Sequence, residues 1–194
     1  MNGVERCIDD EIPFEIPKNW RWCRLHSLAS KDIKRGKSPT YSATGKVLVF
    51  AQKCNVKTGG VNLSLSQRLD DSAFLKYPSE EYMQDSDIVI NSTGTGTLGR
   101  VGLYHFTDNP NNETVVPDSH ITIVRITKEL CSEYLYHCIK WWQPFLEENG
   151  EGSTNQKELR PDTIKNLLVP VPPLAEQHRI VAAYNFLLPY IEQL

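Results

Sequence analysis

Gly94-Thr95-Gly96-Thr97-Leu98-Gly99 has the spacing G-x-G-x-x-G. In dinucleotide sites that spacing opens a helix whose first amides stabilise a pyrophosphate. Here the next residues, Arg100-Val101-Gly102-Leu103-Tyr104, read as a strand. A strand–turn–strand with glycines at positive φ is the better account, whereas a nucleotide-binding enzyme requires a helix after Gly99. Thr93, Thr95 and Thr97 then sit on an exposed tip, within reach of phosphates or base edges, unless the glycines serve tight-turn geometry alone. Asp118-Ser119-His120 contains the residue types of a hydrolase triad. Neighbours on an extended chain face opposite ways, so Asp118 and Ser119 read as turn residues entering a strand. His137, Cys138 and Cys131 have ligand chemistry but no finger spacing, and Cys138 falls on an apolar helical stripe, as a small core thiol would. The chain has neither G-x-x-x-x-G-K-[ST] nor the Asn/Asp-Pro-Pro-aromatic run of adenine methyltransferases. No metal, cofactor or catalytic role is assigned.

Charge is unevenly placed. Lys31, Lys34, Arg35, Lys37, Lys46, Lys53 and Lys57 face only Asp32 in their window, a net +6 in a chain of net −3, which leaves −9 for the rest. Such segregation permits a local positive field on an acidic chain, although a solvated lysine-rich loop has the same composition. Five cysteines without a C-x-x-C pair make no disulfide framework or zinc ribbon, and fit a reducing cytoplasm. No apolar run reaches the roughly 20 residues of a membrane span, and no secretory signal opens the chain.

The elements that must position these residues follow from periodicity. Val47–Phe50, Val61–Ser66, Asp87–Asn91, Arg100–Phe106 and His120–Ile126 read as strands. Tyr134, Leu135, Cys138, Ile139 and Trp142 recur at helical spacing, with Glu133, His137 and Lys140 toward the surface. Ser132 is the expected cap of that helix, and Pro144 sets its end near Gln143. Leu167–Pro173 reads as an edge strand because its prolines cannot donate ladder bonds. From Leu174 onward Ile180, Tyr184, Leu187, Ile191 and Leu194 step by four and three, an a/d seam crossed by Pro189; a helix packed on its own domain is the other reading. The expected fold is α+β, a twisted mixed sheet with segregated helices followed by the start of a coiled-coil-type helix.

Four stretches in order resemble one family: Ile16-Pro17-Lys18-Asn19-Trp20-Arg21-Trp22-Cys23-Arg24-Leu25; the run from Asp87-Ile88-Val89-Ile90-Asn91 through Gly94-Thr95-Gly96-Thr97-Leu98-Gly99-Arg100; Gly152-Ser153-Thr154-Asn155-Gln156; and Val169-Pro170-Val171-Pro172-Pro173-Leu174-Ala175-Glu176-Gln177-His178-Arg179-Ile180-Val181. Together they resemble a target recognition domain of the DNA specificity (S) subunit of type I restriction–modification systems. The resemblance covers about residues 12–194. It implies a non-catalytic reader of double-stranded DNA. Family members carry two α+β recognition domains, each reading half of a split site. Long helices separate them, acting as a ruler and as a dock for methylation (M) subunits, while restriction (R) subunits translocate and cleave. Residues 1–173 then form one recognition domain and 174–194 the start of the spacer helix. On that plan the chain is expected to be a fragment or half-length subunit, and the resemblance allows a second half-subunit as a partner. In that frame Lys34, Arg35, Lys37 and Lys53 are the expected phosphate contacts. Thr93, Thr95, Thr97, Arg100, Asn155 and Gln156 are the expected base-edge contacts. A protein-interaction module acting through the C-terminal helix is the competing function.

Overall fold

Every residue of Val47–Phe50, Asp87–Asn91, Val101–Tyr104 and Ile121–Val124 is buried. A strand buries consecutive residues only when both its faces are covered. The computed structural model, which describes residues 7–57, 60–152 and 157–191, supplies both covers. Its strands are β1 (Arg21–Arg24), β2 (Lys34–Arg35), β3 (Val47–Phe50), β4 (Gln67–Leu69), β5 (Asp87–Asn91), β6 (Val101–Tyr104), β7 (Val115–Pro117), β8 (Ile121–Val124) and β9 (Leu168–Val171). Its α-helices are α1 (Asp71–Phe74), α2 (Ser132–Trp141), α3 (Gln143–Glu148), α4 (Pro161–Lys165) and α5 (Leu174–Ile191).

The central antiparallel sheet runs β2-β8-β5-β6. A mixed sheet, β4-β3-β7, pairs β3 antiparallel with β4 and parallel with β7. β1 and β9 form an antiparallel pair of their own. Side-chain alternation assigns the faces. Ile88, Ile90, Val101 and Val124 pack with Leu135 and Ile139 of α2 and Leu146 of α3. Val89, Tyr104, Ile121 and Ile123 turn the other way, onto Leu48, Phe50 and Cys54. Val47 and Val49 face away again, into a small cluster with Leu69, Ala73 and Tyr77. The order of layers is therefore helices, central sheet, mixed sheet and α1. This is the expected α+β class, with its mixed pairing confined to the smaller sheet.

Three local expectations are corrected. Val61–Ser66 is no strand: Leu63–Leu65 forms a 3₁₀ turn, because the Asn62 side chain accepts the Ser64 amide at 3.0 Å and caps it. α2 is capped by neither Ser132 nor any other side chain at its N-cap, Cys131. Instead the amide of Cys131 donates to the fully buried Gln177 of α5, at 2.9 Å, while Gln177 Nε2 donates to the Pro172 carbonyl at 2.9 Å. His137 and Lys140 are half-buried, not surface residues. Tyr184 covers the His137 ring with centroids 4.1 Å apart, and Lys140 Nζ donates to the Val101 carbonyl and to Gln143.

The junction into α5 is tied down through carbonyls of β9. Tyr134 donates its hydroxyl to the Pro170 carbonyl at 2.9 Å, and Trp142 Nε1 donates to that of Leu168 at 2.8 Å. Of α5, Gln177 and Val181 are buried. Tyr184, Leu187 and Ile191 of the expected seam are 41, 50 and 60% exposed, whereas Ile180 packs against the main core. Leu194 lies outside the described residues.

Candidate nucleic-acid interface

One end of the central sheet collects the loops that carry the chemistry. β5 ends at Asn91 opposite Ile121, the first residue of β8, and Arg35 at the end of β2 pairs with Thr122. Ser92 donates its amide to the His120 carbonyl at 2.8 Å, and Leu159 donates to Ser92 at 2.8 Å. The 3₁₀ turn Gln52–Cys54 after β3 arrives beside them, tied by Asn91 Nδ2 donating to the Gln52 carbonyl at 3.3 Å. Residues 35–37, 52–55, 92–100, 118–120 and 157–160 thus share one rim. A pair of backbone bonds between Glu151 and Glu158, 2.9 and 2.8 Å, closes the base of the loop containing Asn155 and Gln156. Those two residues lie outside the described set.

The glycine-rich stretch is a turn between strands, as its sequence implies. Gly94, Gly96 and Gly99 have φ of 111, 73 and 75°, and β6 follows, so no helix N-terminus faces a pyrophosphate. Gly99 also lies against α3, where an added Cβ would meet the Glu147 amide nitrogen at 2.6 Å.

The expectation of three threonines on an open tip holds only for Thr95, which is exposed. Thr93 is half-buried; its Oγ1 accepts from Gln52 Nε2 at 2.7 Å and meets His120 Nδ1 at 2.7 Å. Thr97 Oγ1 donates to Gln52 Oε1 at 3.2 Å. Arg100 braces the turn, donating to the carbonyls of Asn55 at 2.7 Å and Gly96 at 3.4 Å. Beneath it, the buried Asn55 amide donates to Asn91 Oδ1 and to the Arg100 carbonyl. Thr95 and Arg100 line an open cleft of 530 Å³ together with Lys57, Gln143, Glu147 and Lys157.

The basic window does not form one free patch. Lys34 and Lys37 both pair with Glu81, at 3.4 and 3.2 Å, and Lys37 lies over the Tyr77 ring. Arg35 pairs with Glu158 at 2.6 Å on the rim. Lys31 donates to the Glu80 carbonyl, and burial lowers its pKa. Lys53 is exposed next to Gln52 and Lys57 lines the cleft beside the glycine turn, so Arg35, Lys53 and Lys57 are the window's cations at the loops.

Asp118, Ser119 and His120 form no triad. Asp118 Oδ1 accepts the backbone amide of His120 at 2.8 Å, while the His120 ring turns to Thr93. Burial raises the Asp118 pKa, partly opposed by that amide bond. Burial likewise pushes the Cys138 thiol up to about 11, as suits a core thiol beside Tyr134. Among the described residues, no three His, Cys, Asp or Glu side chains gather as a metal site.

Gln52 and His120 are rim residues that sequence reasoning missed. Gln52 stands in no recognisable motif, and His120 reads from the sequence as the first residue of the strand 120–126. Only the fold brings 52, 93, 97 and 120 together.

The chain is a layered α+β domain that gathers polar loops at one sheet end and runs into the helix Leu174–Ile191. The chain belongs to the type I restriction modification DNA specificity domain family, whose sequence pattern matches residues 17–185. It is 25% identical over 193 residues to the type I restriction enzyme EcoEI specificity subunit of Escherichia coli, covering 96% of this chain and 32% of that one. Over 116 residues it is 32% identical to a putative type I restriction enzyme specificity subunit, S.HindORF215P, of Haemophilus influenzae, covering 59% of this chain and 27% of that one. The fold matches the HsdS subunit from Thermoanaerobacter tengcongensis with a TM-score of 0.68 at 20% identity, over 93% of this chain and 40% of that one. A chain from a study of complex assembly and conformational transition of the type I R-M system gives 0.69 at 22%, covering 93% and 41%. The chain thus spans about a third of the curated relatives it matches and two fifths of the solved chains.

Proposed function

We propose that this chain is a non-catalytic DNA-reading module of a type I restriction–modification complex. Residues 1–173 read one half of a bipartite site, and 174–194 begin the helix that docks methylation subunits. The observation that carries this reading is the rim, where loops from β2, β3, β5 and β8 present Arg35, Lys53, Thr95, His120 and Arg100 at one end of the central sheet. Cations and backbone donors give register on the phosphates, and polar side chains on loops discriminate base edges. Lys34 and Lys37 contribute to the outer field, attenuated by Glu81. Asn155 and Gln156 belong to the loop that leaves the same rim at Glu151 and Glu158. Thr93 and Thr97 act on DNA through the turn they hold.

The exposed stripe Tyr184, Leu187 and Ile191 is the docking face for helices of the methylation subunits or of a second half-subunit. Restriction subunits join through that assembly. Titration of the chain into labelled duplex DNA, alone and with a methylation subunit, tests the reading. Binding should strengthen with the subunit present and weaken as salt rises. A chain that binds the subunit but adds nothing to its DNA affinity is an interaction module instead.

A further inference from the structure

We infer that His120 is a specificity-determining residue, held by a hydrogen-bond relay as an Nε2–H donor toward an acceptor on DNA. The inference rests on the DNA-reading function proposed above.

The relay starts at Thr97. Its hydroxyl donates to Gln52 Oε1 at 3.2 Å, which orients the amide so that Nε2 faces Thr93. Gln52 Nε2 donates to Thr93 Oγ1 at 2.7 Å. The Thr93 hydroxyl has one hydrogen, and the remaining partner at hydrogen-bond distance is His120 Nδ1, at 2.7 Å. Donating there makes Nδ1 the acceptor, and an uncharged imidazole with an acceptor Nδ1 carries its proton on Nε2. The backbone on either side is fixed as well: Asp118 takes the His120 amide, and Ser92 donates to the His120 carbonyl.

The ring is exposed, and no described residue takes up Nε2. A side chain restrained at its backbone and at one ring nitrogen, with a single donor left over, is preorganised to satisfy an acceptor from outside. The acceptors that DNA offers are purine N7, guanine O6 and thymine O4 in the major groove, adenine N3 and thymine O2 in the minor groove, and phosphate oxygens. A neutral donor releases no counterion, so a phosphate contact would change affinity without changing the salt slope.

Two measurements on the full chain test this. Two-bond ¹H–¹⁵N correlation of the uncharged His120 ring should show Nε2–H, and Thr93→Val, which keeps the side-chain shape but removes the donor, should mix the tautomers. An Nδ1–H ring in the unmodified chain overturns the relay. Duplex selection, with the methylation subunit present, should then show His120→Ala and His120→Asn losing preference at one base position by about 2- to 12-fold. His120→Gln, whose amide nitrogen reaches the Nε2 position, should keep much of it. A uniform loss over all positions at an unchanged salt slope assigns the donor to a phosphate and overturns the specificity role. A motif indifferent to all three variants overturns the contact. If the unmodified chain and subunit enrich no motif, the DNA-reading proposal itself fails and takes this inference with it.

Discussion

Asp87 illustrates how a residue of the family motif becomes a structural anchor. Its carboxylate is fully buried and receives Arg125 Nε and an Arg125 terminal nitrogen at 2.7 and 2.8 Å, with the Gln84 amide at 2.8 Å. Arg125 in turn donates to the Tyr82 carbonyl at 2.8 Å. Asp87→Ala strands the guanidinium and should cost about 3–5 kcal/mol in denaturant unfolding. His137 predicts a pH effect. Burial lowers its pKa, partly opposed by Glu133, so the unfolded chain binds that proton more readily than the folded one. Its contribution to stability is complete above the ordinary imidazole value of about 6.5 and is lost as pH falls below it. His137→Phe should flatten that decline in melting curves taken from pH 7.5 to 5.5, and an unchanged slope would remove His137 as its source. At the rim, Lys53→Glu should weaken binding to all duplexes and shallow the salt dependence, whereas Lys34→Glu and Arg35→Glu, already opposed by Glu81 and Glu158, should each do less. Equal effects would mean that the whole window meets phosphate. The positive window was legible in the sequence because charge is local there. Its pairing with Glu81 and Glu158 was not, because those partners lie 40 or more positions away.

Elements were legible where one local signal dominated. β3, β5 and β8 are runs of β-branched and apolar residues that suit buried strands. The glycines of 94–99 followed by Val101 and Leu103 announced a turn. Residues 61–66 misled because alternation alone cannot see an Asn62 cap, and α2 misled at its start because no side chain caps it and the Cys131 amide is taken by Gln177 of another helix. Gly99 gives the element-scale prediction. Gly99→Ala must place a Cβ at positive φ and against the Glu147 amide, so it should destabilise the chain by more than the roughly 1 kcal/mol that φ alone costs. Hydrogen exchange should localise the loosening to the 94–99 turn and α3. Protection unchanged there would mean that the turn is not locked to the helix. On α5, Gln177 and Val181 face the domain while Leu187 and Ile191 do not. Leu187→Asp with Ile191→Asp should therefore leave the melting temperature within a few degrees and abolish association with a methylation subunit in sedimentation. A large fall in melting temperature would instead make the stripe part of this domain's own packing.

For the whole molecule, the sequence carried the class but not the layering. Consecutive apolar residues say that both faces of a strand are covered, without saying by what. The structure answers with helices on one side of the central sheet and a second sheet on the other. That sandwich seats the rim on a sheet buried on both faces, where hydrogen bonds join loops from distant parts of the chain into one arrangement of donors and acceptors. No helix among the described residues is long and apolar enough to cross a membrane. The central claim is that the rim reads a DNA sequence, and selection from a randomised duplex library tests it most directly, with the chain bound to its methylation subunit. The account predicts one enriched half-site motif that loses information at particular positions when Thr95 or Asn155 becomes Ala, and that survives Leu75→Ala, an exposed change beyond α1 at the far layer. Enrichment of no motif, or of one that ignores every rim substitution, would contradict it.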